Sequence, residues 1–221
     1  MSSISVAGDT SGSITLSAPA VSGSSVLTLP VATDTLVGKA TTDTLTNKSI
    51  AATQLTGTIA VAALPAGSVV QVVSTVKTDT FTSSANATWT DITGISVSIT
   101  PISASNKILI FSTVQGSIFR PAANAVLLRL LRNSTAIGIG DAASTRGRTT
   151  FGASVVSNDS IVSTTINYLD SPATTSSTTY KIQFYQDTPA NPLQINRTVT
   201  DTDSATFGRC ISTITVMEVA G

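Results

Sequence analysis

Histidine is absent from this chain, and cysteine, tryptophan and glutamate occur once each, as Cys210, Trp89 and Glu218. Without histidine there is no Ser-His-Asp or Cys-His arrangement, no imidazole base and none of the usual zinc sites. A lone cysteine closes no internal disulfide, so stability has to come from packing and association. Charged residues make up only 11% and balance at 12 basic and 12 acidic, which excludes the basic footprint of a nucleic-acid binder and the polybasic patch of a membrane-surface protein. No apolar run approaches the roughly 18 residues of a membrane span. Residues 1–10 lack the basic-then-apolar order of a secretory signal. The expectation is a soluble chain with no membrane insertion and no nucleic-acid partner.

What is present is β-forming. Serine and threonine supply roughly a third of the chain, far above ordinary usage, and Val, Ile and Leu are spread thinly among them. Branched side chains are stiff at χ1 and pack well on pleated surfaces, so the fold class should be mainly β. With 221 residues there is room for one medium domain and an appendage.

The chain reads as two parts. Residues 1–67 hold short strand-like pieces, such as Ile14 and Leu16 in SITLSA and Leu27 and Leu29 in SVLTLPV, and no aromatic residue stands before Phe81. A nine-residue echo runs through residues 33–50: Thr33-Asp34-Thr35-Leu36 with Lys39, then Thr42-Asp43-Thr44-Leu45 with Lys48. Such a segment has too little apolar mass for its own core. It reads either as a flexible polar linker or as a shaft in which copies intertwine and bury Ile14, Leu16, Leu29, Leu36, Leu45 and Ile50 together; the recurring leucines favour the shaft.

After the Pro65-Ala66-Gly67 turn, residues 68–221 carry at least eight longer strand candidates, the pattern of a β-sandwich or jelly roll. Within residues 178–187, Tyr180, Ile182 and Phe184 alternate with Lys181, Gln183 and Tyr185, which predicts a half-buried strand. Ile108, Leu109, Ile110 and Phe111 are apolar on both faces, as for a central strand or one set against another subunit. Residues 122–135 fit either a helix face or a strand, and the turn-like Arg132-Asn133-Ser134 favours the strand.

Thr44–Ile50 (TLTNKSI) and Leu55–Gly67 (LTGTIAVAALPAG) resemble phrases in the shafts of tail fibres and other appendages of tailed bacteriophages. LLRNSTAIGIGD at Leu130, LDSPATTSSTTYKIQ at Leu169 and STITVMEVAG at Ser212 resemble a β domain of marine and cyanobacterial phage structural proteins. The resemblance covers most of the chain. It implies a homotrimeric virion protein on the tail or capsid surface. Its N-terminal segment would join other virion proteins, and a jelly-roll-like head would recognise a host cell-surface glycan or protein. A capsid decoration or head fibre that stabilises the particle or gives weak adhesion is the alternative.

Some phage appendages cleave polysaccharides with paired carboxylates. Here the acids are sparse, and the expectation is no enzymatic activity, no cofactor and no metal. Asp201 and Asp203 sit at i and i+2 in a loop, where they cap a turn, orient a sugar or bind a cation. Arg146, Arg148 and Arg197 would grip anionic groups or serve a trimer interface. Trp89 and Tyr185 would stack on sugar rings or pack in a core or interface. Polar loops within residues 140–150, 169–179 and 196–205 are the expected host contacts. Cys210 is expected to be a buried structural thiol. Five Asn-x-Ser/Thr matches, at Asn47, Asn86, Asn133, Asn158 and Asn196, follow from the abundance of Ser and Thr and are assigned no glycan.

Overall fold

The computed structural model describes residues 3–7, 11, 13–17, 49–51, 53, 57, 59–117, 126–153, 160–187 and 192–221. Most of the nine-residue echo, and the shared burial expected of Leu29, Leu36 and Leu45, lie outside these residues. The chain divides into two compact units, Met1–Thr56 and Gly57–Gly221. In the first, β1 (Ser3–Ala7) pairs antiparallel with β2 (Ser13–Ser17) in the same chain, Ile4 opposite Leu16 and Val6 opposite Ile14.

The second unit is mainly β, as composition predicts, and has no α-helix among the described residues. A short 3-10 turn, Val61–Ala63, precedes the Pro65–Gly67 turn. The strands are β3 (Val69–Lys77), β4 (Phe81–Ser83), β5 (Thr90–Ile99), β6 (Lys107–Ser117), β7 (Val126–Arg132), β8 (Thr135–Ile137), β9 (Phe151–Ala153), β10 (Val162–Asp170), β11 (Thr178–Tyr185), β12 (Leu193–Ile195) and β13 (Ser212–Val219). Residues 126–132 are the strand that the turn favoured. The turn itself is a two-residue hairpin at Asn133 and Ser134, with Asn133 at φ 55° and its side chain accepting from the Thr179 N–H at 2.9 Å.

Two antiparallel sheets result. In one, β3 pairs with β13, β13 with β6, and β6 with β10; β12 continues the line of β13 along β6, and β4 pairs with β12. In the other, β5 pairs with β11, β11 with β7, and β7 with both β8 and β9. A single core lies between them, with Ile92, Ile95 and Val97 of β5, Ile108 and Ile110 of β6, Leu128 and Leu130 of β7 and Ile214 and Val216 of β13. Tyr180, Ile182 and Phe184 are fully buried while Lys181, Gln183 and Tyr185 are half-exposed, so the alternation read in β11 is the alternation found. Burying each large apolar side chain contributes about 1.5–3 kcal/mol, and this is the term that holds the sheets together.

Polar ties supplement the core at one end. The Tyr180 hydroxyl, on β11, donates to Asp170 Oδ2 on β10 at 2.7 Å, and Arg132 Nη1 donates to Asp170 Oδ1 at 2.9 Å, so a buried aspartate links the two sheets. Burial and the neighbouring carboxylate push the Tyr180 phenol far above its ordinary range. At the same end, Glu218 accepts from the Ile102 N–H at 2.7 Å, from Asn106 Nδ2 at 2.6 Å and from Gln71 Nε2. Here too the chain enters and leaves: Gly67 N–H donates to Ala220 O at 2.8 Å and Ala220 N–H to Ser68 O at 2.9 Å. Trp89, Ser117, Val126 and Tyr185 lie at the opposite end.

Candidate functional site

The outer faces of the two sheets differ. On the β3–β13–β6–β10 sheet, Met217 faces Val72 on one side and Leu109 on the other, and Leu109 faces Leu169, so one apolar line crosses four strands. Phe111 and Val76 extend it, and Val72, Val76, Phe111 and Leu169 stay between 41% and 53% exposed. Ser74, Thr113, Gln115, Ser163, Thr165, Asn167, Thr213 and Thr215 take other outward positions, and Val219 and Lys107 stand at the margin. The face thus sets an apolar line among hydroxyl and amide side chains and carries almost no charge. Leu109 and Phe111, apolar beside the buried Ile108 and Ile110, belong to it, which is the double-faced pattern read in the sequence.

On the β5–β11–β7 sheet the outer face is aromatic and charged. Register sets Gln183 opposite Asp91 on β5 and opposite Arg129 on β7. One step along, Tyr185 stands beside Trp89, ring centroids 5.5 Å apart and tilted by 47°, with the Arg129 guanidinium 4.0 Å from the Trp89 ring centre. A chain of hydrogen bonds joins the polar groups: Arg129 Nε and Nη2 donate to Gln183 Oε1 at 3.0 and 2.7 Å, Gln183 Nε2 donates to Asp91 Oδ1 at 2.7 Å, and Lys181 Nζ donates to Asp91 Oδ2 at 2.7 Å. Burial works to raise the Asp91 carboxyl, but the bonds from Lys181 and Gln183 and the charges of Lys181 and Arg129 outweigh it and hold it below the usual range. A bulge in β5 makes this possible. Gly94, at φ +87°, lets Ile92 and Ile95 both turn inward, and the register slips so that Asp91 stays in reach of Lys181.

The candidates named from sequence fall into two places. Tyr185 belongs to the aromatic face. So does the loop of Arg146 and Arg148: Gly147 lies so close to Leu127, the β7 residue opposite Tyr185, that a Cβ there would sit 2.8 Å from Leu127 Cδ1. Arg148 Nε donates to Gly140 O at 2.6 Å, which fixes that side chain across its loop.

Arg197 and Asp201 sit instead in the excursion between β12 and β13. Arg197 Nε and Nη2 donate to Gln194 Oε1 at 2.8 and 2.6 Å and its Nη1 to Asp201 at 2.6 Å, while Arg209 Nη2 reaches Asp201 at 2.8 Å. The hydrogen bonds from Arg209 and Arg197 hold the Asp201 carboxyl below its usual range. This is a clasp that closes the excursion on itself, with Asp203 exposed beside it. Cys210, expected to be buried, is half-exposed at the foot of the excursion, where its N–H bonds Asn196 O at 3.1 Å. Asn196 is fully buried, its Nδ2 donating to the carbonyls of Lys77 and Asp79 at 2.9 Å.

The three polar loops expected to contact a host are not gathered at one end. Residues 171–177 join β10 to β11 at the end where the chain enters and leaves, and residues 196–210 leave the middle of a sheet. Sequence reasoning did not single out Arg129, Asp91, Lys181 and Gln183. Lys181, Gln183 and Tyr185 were legible as one face of a strand; their neighbours across β5 and β7 were not. Among the described residues no group of three metal-ligating side chains occurs. The chain matches no protein-family model and no curated protein.

Proposed function

We propose that this chain is a homotrimeric appendage of a tailed bacteriophage, a tail fibre or similar virion protein that mediates attachment to the host surface. The observation that carries the reading is the nearly uncharged outer face of the β3–β13–β6–β10 sheet, with the apolar line of Val72, Met217, Leu109 and Leu169 across all four strands. Four strands at about 4.8 Å spacing and nine residues at about 3.3 Å give a face of roughly 600 Å² in plan. That approaches the ~800 Å² each partner gives to a stable interface. Its lack of charge suits a copy of the same face or of the sheet edge next to it better than any charged partner. Three copies around an axis would cover it.

The strand succession supports a jelly-roll head. With β3/β4, β12/β13 and β8/β9 each taken as one interrupted strand, eight strands divide four and four between the two sheets in the order of two Greek keys. The chain enters and leaves this head at one end, so a shaft attached there would present the other end, with Trp89 and Tyr185, outward. The resemblance of residues 44–50 and 55–67 to fibre-shaft phrases supplies the virion context.

The test is adsorption. Excess purified full-length protein should slow adsorption of the virions that carry it, and an antibody against the protein should label those virions at one fixed location. Absence of label from every virion, or unaltered adsorption at saturating protein, overturns the reading.

A further inference from the structure

We propose that the outer face of the β5–β11–β7 sheet binds a carboxylate-bearing saccharide, with Trp89 and Tyr185 as the stacking platform and Arg129, Lys181, Gln183 and Asp91 as the polar contacts. The proposal rests on the attachment reading and names the ligand class for it.

Four observations lead there. First, neither Trp89 nor Tyr185 belongs to the buried core, which closes without them on Tyr180, Ile182, Phe184 and their neighbours. They form a half-exposed pair of large amphipathic rings. Such rings offer wide contact area at low entropic cost, and pyranose C–H groups pack on aromatic faces.

Second, the polar groups beside the rings are held in place before any ligand arrives, because each fixes the next through bonds of 2.7–3.0 Å. Preorganisation of this kind lowers the cost of binding. Third, the donors outnumber what the ladder uses. Lys181 has three N–H groups, Gln183 two and Arg129 five, and the ladder takes one, one and two of them. A surface rich in spare donors suits a ligand rich in acceptors, namely hydroxyl and carboxylate oxygens.

Fourth, the charge leans to cations. Arg129 and Lys181 flank Asp91, the loop that leans on Leu127 adds Arg146 and Arg148 against Asp141, and Asp187 follows Tyr185 by two residues, so among the described residues four cations meet three carboxylates. The excess of cations favours an acidic saccharide over a neutral one. Three adjacent strands span about 10 Å, room for roughly two sugar rings on an open face. An open face admits the middle of a polymer, which a closed pocket would not.

Trp89 is the sole tryptophan, so its emission reports on the site directly. Full-length protein should be titrated with an alginate hexamer, an oligouronate, and in parallel with neutral maltohexaose. The expected result is a saturable change in Trp89 emission with the oligouronate at an affinity at least tenfold tighter than with maltohexaose. Tyr185→Ala should weaken oligouronate binding at least tenfold, Lys181→Ala about threefold to tenfold, and Arg146→Ala with Arg148→Ala about threefold while flattening its salt dependence. Circular dichroism would confirm that each variant folds, and Thr202→Ala, exposed in the excursion between β12 and β13, should change nothing. The proposal is overturned by an emission that responds to neither saccharide at millimolar concentration, by equal or tighter binding of maltohexaose, or by a response that survives both Tyr185→Ala and Lys181→Ala. If the Tyr185→Ala protein still competes fully for adsorption, the sheet-face proposal fails and the attachment reading stands; if no virion carries the protein, the attachment reading itself fails.

Discussion

The two outer faces of the second unit are made by the same device, a strand whose alternate side chains point away from a shared core, and they end with opposite chemistry. One presents Val72, Met217, Leu109 and Leu169 in a line with Lys107 at its margin. The other presents Trp89, Tyr185 and a hydrogen-bonded line of Asp91, Gln183 and Arg129. The inner faces need the same thing from both sheets, apolar volume, so they are alike. The outer faces answer to whatever lies outside, so their difference is where function shows. An apolar surface costs free energy in water and gains by being covered. A polar and aromatic surface is content in water and can exchange that water for a ligand.

The comparison is broken most severely at Leu109. Leu109→Asp puts a charge at the middle of the apolar line without touching the core, since its side chain points outward. The expected outcome is loss of assembly, a weakening of at least a hundredfold, because an unpaired charge would be buried at the interface. Light scattering should show a species three times 22.5 kDa for the native protein and the 22.5 kDa protomer for the variant. Ser96→Asp, on the other sheet opposite Lys181, should leave the native assembly unchanged. A native protein that scatters as a folded monomer would remove the contrast between the faces.

A second effect should strike both faces at once. Asp170→Ala leaves the buried Tyr180 hydroxyl and Arg132 without the acceptor that joins the sheets. The cost expected is about 3 kcal/mol, or roughly 6–12 °C in the thermal transition. Asp170→Asn keeps an acceptor and should lose about half as much. A thermal scan in which Asp170→Ala melted with the native protein would mean that the core alone fixes how the two faces are oriented.

Acid should separate the faces from the frame that carries them. Burial works to raise the Glu218 carboxyl, but bonds from Gln71, Asn106, Ile102 and Ser103 outweigh it and set it below its ordinary value. A carboxylate that titrates lower in the folded chain stabilises fully above the unfolded value, about 4.5, and that contribution fades as pH falls below it. The apolar line has no carboxylate, so assembly should hold from neutral pH down to that point. Glu218→Gln swaps one acceptor oxygen for an amide that faces donors, at an expected cost of about 1–3 kcal/mol at pH 7. It should also flatten the loss of stability as pH falls below about 4.5, measured by denaturant titration. An unchanged pH profile would place the acid sensitivity elsewhere, with Asp91 of the charged face next in order. The smallest effect is expected for Cys210→Ser, within ~0.5 kcal/mol, because a half-exposed thiol at the foot of the excursion belongs to neither face.

How much of this was readable in advance follows from periodicity. Residues 178–187 announced their strand and both of its faces, because the side-chain period of two is written in the order Tyr-Lys-Ile-Gln-Phe-Tyr. The double apolar character of residues 108–111 announced a central strand, with Ile108 and Ile110 in the core and Leu109 and Phe111 on the outer face. The three-residue strands Phe81–Ser83 and Thr135–Ile137 gave no sign, since a piece of three residues has no period to detect. Arg197 and Asp201 were legible as polar loop residues, but not as partners in a clasp with Gln194 and Arg209.

From the order of residues alone come the β character, the missing histidine chemistry, the inward and outward sets of each long strand and the outward position of Tyr185. These are local properties, fixed by composition and by the alternation of a single extended chain. Register is different. That Met217 stands between Val72 and Leu109, that Gln183 stands between Asp91 and Arg129, and that Gly147 rests on Leu127 join residues from 20 to 145 positions apart. No local preference specifies such a pairing. It is settled when the whole core closes, because only one register buries every inward side chain at once, and the two outer faces are assembled as the consequence.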